Sequence, residues 1–171
     1  GQAFKGLPFR FWQAPTPQSR PERKFAPTVN FTQILFNTGL GAPNGLGARI
    51  AAWRSIFLAT RPQVTLVDYT PTALLALRGL NIPTVITGTG FFIPPNVSPF
   101  PAFSMLANMA TPEQLAQQEK GVLQVINRAL GQHRIPPLNT LAQLFHEVSG
   151  KIFRSLPEFD HYPNRGPAEF L

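Results

Sequence analysis

The chain contains no cysteine. Disulfides, thiol nucleophiles and thiolate metal sites are therefore excluded. Charge is also scarce: Asp, Glu, Lys and Arg make up 13% of residues, against about 25% in an average soluble domain. Acidic groups are the scarcest, 8 against 15 Lys plus Arg, which leaves a formal net charge of +7. The arginines are scattered, so the excess reads as a basic surface rather than a built anion site. No recognised binding motif accompanies the charge, and no nucleic-acid partner is expected. No uninterrupted apolar run approaches a membrane span, so no integral membrane segment is expected. The first residues lack a charged region followed by an apolar one. A cytoplasmic chain is expected on that ground, with Asn30-Phe31-Thr32 and Asn96-Val97-Ser98 as chance matches to glycosylation acceptors.

Other absences narrow the chemistry. The histidines are His133, His146 and His161, and no two stand at metal-ligand spacing, so no metal site is expected. There is no Gly-x-Ser-x-Gly elbow of the common serine hydrolases. Residues 39–47, GLGAPNGLG, are rich in glycine. No strand precedes them and no Gly-Lys-Ser/Thr follows, so they read as a helix–helix turn rather than a phosphate loop.

What is abundant is proline, 19 residues, and phenylalanine, 15 residues. The prolines cluster in connections such as Pro94-Pro95 and Pro136-Pro137, which predicts long ordered loops. The length of 171 residues suits one domain with a real core. Its organising stretch is 63–95, QVTLVDYTPTALLALRGLNIPTVITGTGFFIPP. Gln63 to Val67 predicts a strand ending at Asp68. Thr70-Pro71 predicts a helix start, Gly79 fits its end, and Thr84 to Thr87 predicts a second strand. Such a β-α-β crossover implies parallel strands, with ligands sought at their carboxyl ends. Gly88-Thr89-Gly90 follows a strand, as a dinucleotide loop should. Yet Ile93 replaces the third glycine and proline follows instead of a helix, which makes that reading weak.

Elsewhere, Phe9 to Gln13 reads as a short strand and 14–27 as an exposed loop. A helix is predicted from Thr28 or Asn30, with Phe31, Ile34 and Leu35 buried. Another spans 46–59, with Leu46, Ile50, Trp53 and Phe57 as its buried stripe and Arg49, Arg54 and Arg61 as a solvated face. Residues 91–111 form a long apolar loop that either lines a pocket or covers the core. Thr111-Pro112-Glu113-Gln114 is a capping box for a helix to Leu130, ended by Gly131. A short helix over 140–146 and a third parallel strand over 151–156 follow, then a terminal loop, 157–171. Asp68 has two readings. It can cap the following helix, which spacing favours, or it can orient a histidine and stabilise its charged form.

Several segments together resemble the N-terminal, acceptor-binding domain of bacterial GT-B-fold glycosyltransferases, of the UDP-glycosyltransferase and glucuronosyltransferase kind. They are the 63–95 stretch, the 46–61 helix with its Ala-Trp-Arg and terminal Arg-Pro, VLQVINRALGQHRIPPLNTLAQLF and LPEFDHYPNRGPAEF. The resemblance implies an α/β fold, a Rossmann-like parallel sheet flanked by helices, incomplete because the first strand and helix are missing. It implies a single partial domain over 1–171, with the nucleotide-sugar domain absent. In the family, a histidine near the first strand deprotonates the acceptor and an aspartate at the end of a later strand orients it. Asp68 matches that aspartate, so the resemblance implies a catalytic role for it. Thr89, Gly90, Phe91 and Phe92 would bind substrate, with Phe100 and Phe103 contributing. The implied partners are a small-molecule or lipophilic acceptor and, through the other domain, a nucleotide sugar as co-substrate; no cofactor and no metal are implied. The chain alone would be inactive, lacking base and donor site. Self-association of the incomplete sheet is expected. The alternative is a non-catalytic Rossmann-like binding module.

Overall fold

The computed structural model describes residues 6, 9–16, 24–162, 165, 168 and 170. The expectations for 1–7, for the middle of the 14–27 loop and for parts of 157–171 thus fall partly outside the described residues. The architecture is α/β. Strands β1 (Thr65–Asp68), β2 (Thr84–Gly88) and β3 (Gly150–Phe153) form one sheet in the order β1-β2-β3. Both pairings are parallel: Asp68 stands opposite Thr87, and Gly88 opposite Phe153. Helices flank the sheet, giving an incomplete Rossmann-like arrangement. They are α1 (Phe31–Leu35), α2 (Leu46–Thr60), α3 (Pro71–Leu77), α4 (Pro112–Gln132) and α5 (Gln143–His146).

The β-α-β unit forms as its sequence predicts. α3 is buried along its whole length, and Gly79 takes the left-handed conformation, φ +72°, that ends it. One detail differs. The Thr70 side chain does not cap the helix; it donates to the Asp68 carbonyl, while the Thr70 carbonyl accepts from Ala73 and Leu74. β2 is the central, buried strand. β1 is at the edge, with Leu66 66% exposed, so Asp68 does not end a buried strand.

α2 packs on α3 and α4, with Leu46, Ile50 and Phe57 buried. Trp53 is half-buried; it stacks on Phe57 and donates its indole N–H to Thr72. Arg49 and Arg54 correct the expectation of a solvated face. Arg49 bonds the Gly39 carbonyl, and Arg54 bonds the carbonyls of Ala76 and Arg78 at the end of α3. A guanidinium carries several donors and reaches far, so it is drawn to nearby unsatisfied carbonyls. Arg61 is exposed, at the left-handed end of α2.

Residues 9–13 form no strand. A strand exists only within a ladder, and the sheet among the described residues is β1-β2-β3. Part of the loop 14–27 is anchored: the Asn37 side chain holds both the N–H and the carbonyl of Phe25. The capping box at Thr111 is complete, Thr111 and Gln114 bonding reciprocally. α4 runs past Gly131 to Gln132. Among the described residues, no helix is long and apolar enough to cross a membrane.

α4 also carries a buried carboxylate. Glu119, 4% exposed, stands on the face that buries Leu115 and Val122. It accepts bonds from Thr32 Oγ1 at 3.3 Å, Ser98 Oγ at 2.6 Å and the Phe100 N–H at 2.8 Å. It thereby ties α1 and the loop 96–103 to α4. Asn30 completes the tie, capping α1 through Gln33 N and donating to the Phe100 carbonyl. Removing Glu119 strands buried donors, each costing about 1–3 kcal/mol. Glu119→Ala is expected to lower unfolding free energy by about 3 kcal/mol, and Glu119→Gln by less, as read by urea denaturation.

Candidate functional site

The candidate site lies where the sheet's carboxyl end meets the loop after β2. β1 ends in Asp68, whose carboxylate accepts from Arg154 Nη2 at 2.8 Å. Arg154 follows β3, and its N–H extends the ladder to the Gly88 carbonyl. The Asp68–Arg154 pair therefore spans the end of the central strand. Both side chains are more than half exposed, 58% and 55%, so the pair contributes little to stability. Asp68 does not cap α3, and among the described residues no hydrogen bond joins it to a histidine.

The next residue, Tyr69, has φ +35°, a conformation that non-glycine residues rarely adopt. It turns the tyrosine ring under the loop after β2, 4.3 Å from Phe92 and 6.1 Å from Phe31. Phe92 meets Phe91 edge-on at 5.1 Å, and Phe91 stacks on Phe103 at 5.4 Å. Phe91, Phe103, Ser104, Met105, Leu106, Asp160 and His161 line a largely apolar groove of about 630 Å³. The structure thus brings Phe91 and Phe92 together with Phe103. Phe100 is fully buried against Phe31 and belongs to the core. The 91–111 segment does both things its composition allowed: Ile93 and Phe100 close the core, while Phe91 and Phe103 face the groove.

Thr89 is exposed, and its carbonyl accepts from the Phe92 N–H. Gly90 is buried. A Cβ there would lie 2.5 Å from Asp160 Oδ1 and 3.1 Å from Arg165 Nη2, so only glycine admits this pair. Asp160 and Arg165 form an ion pair. The Arg165 guanidinium donates to the carbonyls of Gly90 and Ile93, and its face lies 4.8 Å from the Phe153 ring. Arg165 and the Tyr162 N–H hold the Asp160 carboxyl below its usual range, outweighing burial, which pushes it up. His146 Nε2 donates to the next carbonyl, Pro94, at 2.9 Å, and Nδ1 accepts from Lys151 at 3.0 Å. The loop therefore turns carbonyls, not N–H groups, toward its neighbours. Cations and donors hold those carbonyls. A phosphate cradle needs the opposite polarity, which is the physical reason Gly88-Thr89-Gly90 is no dinucleotide loop.

Among the described residues, no group of three or more His, Asp or Glu could hold a metal ion. No protein-family model matches the chain, and neither does a curated protein or a solved structure.

The periodicity reading passed over Arg154, Arg165, Tyr69 and Tyr162. Tyr69 had one available signal, its place directly after the strand-end aspartate. Arg165 had none, because its partners lie 72 and 75 residues away in the chain.

Two outcomes are expected. Gly90→Ala is expected to cost about 1–3 kcal/mol by overpacking, and markedly less in an Asp160→Ala background; the double-mutant cycle checks this. Burial, with Lys151 and Arg165 nearby, holds His146 below its ordinary value of 6.5. The folded state then binds fewer protons than the unfolded one between the two values. Stability from this group is full above about pH 6.5 and is lost as pH falls toward the folded value. Melting temperature should drop from pH 7.5 to 5.5, and the drop should be smaller in His146→Gln.

Proposed function

We propose that the chain is the acceptor-binding part of a glycosyltransferase of the GT-B kind, moving a sugar from a nucleotide sugar to a hydroxylated, apolar acceptor. The observation that carries the reading is the location of Asp68 together with an aromatic groove at the carboxyl end of a parallel sheet. In this reading the acceptor's apolar body lies against Phe91, Phe92 and Phe103. Asp68 orients the histidine that takes the acceptor's proton and stabilises the imidazolium that results. That histidine and the nucleotide-sugar site belong to parts of the enzyme outside these residues. The ion pair to Arg154 fits the reading if the histidine replaces the arginine: the pair is solvent-exposed and cheap to break.

The same ion pair favours a second reading, a non-catalytic binding module. A carboxylate satisfied by Arg154 needs no histidine, and the groove then serves binding alone. The enzyme carrying this domain separates the two. Asp68→Asn should lower kcat by about 100-fold or more at an unchanged melting temperature, and unchanged turnover assigns Asp68 to its ion pair alone. These residues by themselves should transfer no sugar from any nucleotide sugar; measurable transfer by the isolated chain overturns the proposal.

A further inference from the structure

Two buried hydroxyls have no hydrogen-bond partner: those of Tyr69 and Tyr162. Tyr162 is 4% exposed. Buried polar atoms in folded proteins are nearly always paired, because an unpaired one forfeits its bond to water. Two in one place ask for an explanation. They do lie in one place. Tyr69 packs on Phe92, Phe92 on Phe91, Phe91 on Phe103, and Phe103 meets the Tyr162 ring at 6.2 Å. Burial pushes both phenol pKa values up, and Tyr162 also feels the charge of Tyr69. Thr38 is near enough to Tyr69 to oppose that shift, but its proton goes to the Leu35 carbonyl and the phenol stays unpaired.

Tyr69 is aimed there at a cost. Its φ of +35° is strained for a side chain of this size, and such strain persists where the surroundings or a function require it. Phe91 and Phe103 line the groove, and the two tyrosines stand one ring behind them. The turn that follows Phe103, Ser104–Met109, buries no residue, and Met105 is 96% exposed. A segment with so little buried is the one that moves most easily.

We propose that the Tyr69 and Tyr162 hydroxyls are the polar end of the groove and bind a hydroxyl group of an otherwise apolar ligand. The ligand's body displaces Phe103 with the Ser104–Met109 turn, and its hydroxyl then pairs with the two phenols. Phenol, enol and sterol hydroxyls share the needed chemistry: one donor and an acceptor at the rim of an apolar skeleton. The inference rests on the groove being the acceptor site and adds where the acceptor's hydroxyl is recognised.

The test uses β-naphthol and naphthalene, which share a skeleton and differ by the hydroxyl. Their affinities for the chain are measured by fluorescence titration. The wild type should bind β-naphthol about tenfold tighter, the worth of one good buried hydrogen bond. Tyr69→Phe and Tyr162→Phe should each shrink that preference, and the double variant should abolish it. Both single variants should melt at or above the wild-type temperature, since each removes an unpaired buried hydroxyl. Equal affinity for the two compounds, with both binding, overturns the subsite while leaving the groove as an apolar binder. Failure of either compound to bind overturns the subsite and the groove reading together. A lower melting temperature in both variants would assign the hydroxyls to internal water and folding, and would also overturn it.

Discussion

The fold depends on one buried carboxylate. Glu119 holds Thr32, Ser98 and the Phe100 N–H at once. These groups belong to a five-residue helix, α1, and a proline-rich loop, neither of which could hold its place alone. Once they are held, Phe31 and Phe100 meet in the core, and Phe31 in turn touches Phe91, Phe145 and Tyr69. The aromatic wall of the groove is thus an extension of the core that Glu119 closes. A burial of this kind succeeds because each charged oxygen has partners; an unpaired carboxylate at the same depth would be expelled or protonated.

The second constraint acts on the loop after β2. A loop leaving a central parallel strand ends in carbonyls that no neighbouring strand satisfies. Here Arg165 takes Gly90 and Ile93, and His146 takes Pro94. The bulk of Arg165 and Asp160 over Gly90 explains the glycine without any phosphate ligand. The same arrangement brings His161 and the groove to the sheet's carboxyl end, because both follow directly from Asp160 in the chain. Structure and site are therefore joined at one ion pair.

Much of the fold was legible in the residues. Val67 and Ile86 lie in parallel strands, Thr111 and Gln114 form their capping box, and Lys151 to Phe153 joins the sheet. These features are local: they depend on period, caps and breakers within a few residues. What failed depended on distant partners. Arg49 and Arg54 looked solvated because their carbonyl partners belong to other elements. Phe9 to Gln13 had strand composition but no place in the ladder. Glu119 was detectable in principle, an acid between Leu115 and Val122 on an apolar face. The four-residue spacing from Leu115 placed it inward, and only its polarity argued otherwise.

The state of Asp68 follows from the same division between local and distant. Position at a strand end is local and was readable; partner choice is not. In this chain the carboxylate faces Arg154, with both side chains more than half exposed. Exposed ion pairs contribute between nothing and about 1 kcal/mol, so Arg154 does not lock Asp68 against a competing donor. A histidine presented from a neighbouring segment would gain a charge-assisted bond that strengthens as its imidazolium forms. Arg154 could then turn its charge outward, toward the cleft, where an anionic leaving group would meet it. An arginine beside a catalytic aspartate is thus compatible with either reading of the site. What separates them is whether water or a histidine stands across the carboxylate when the groove is filled, which makes the aspartate's value a property of the loaded site rather than of the empty one.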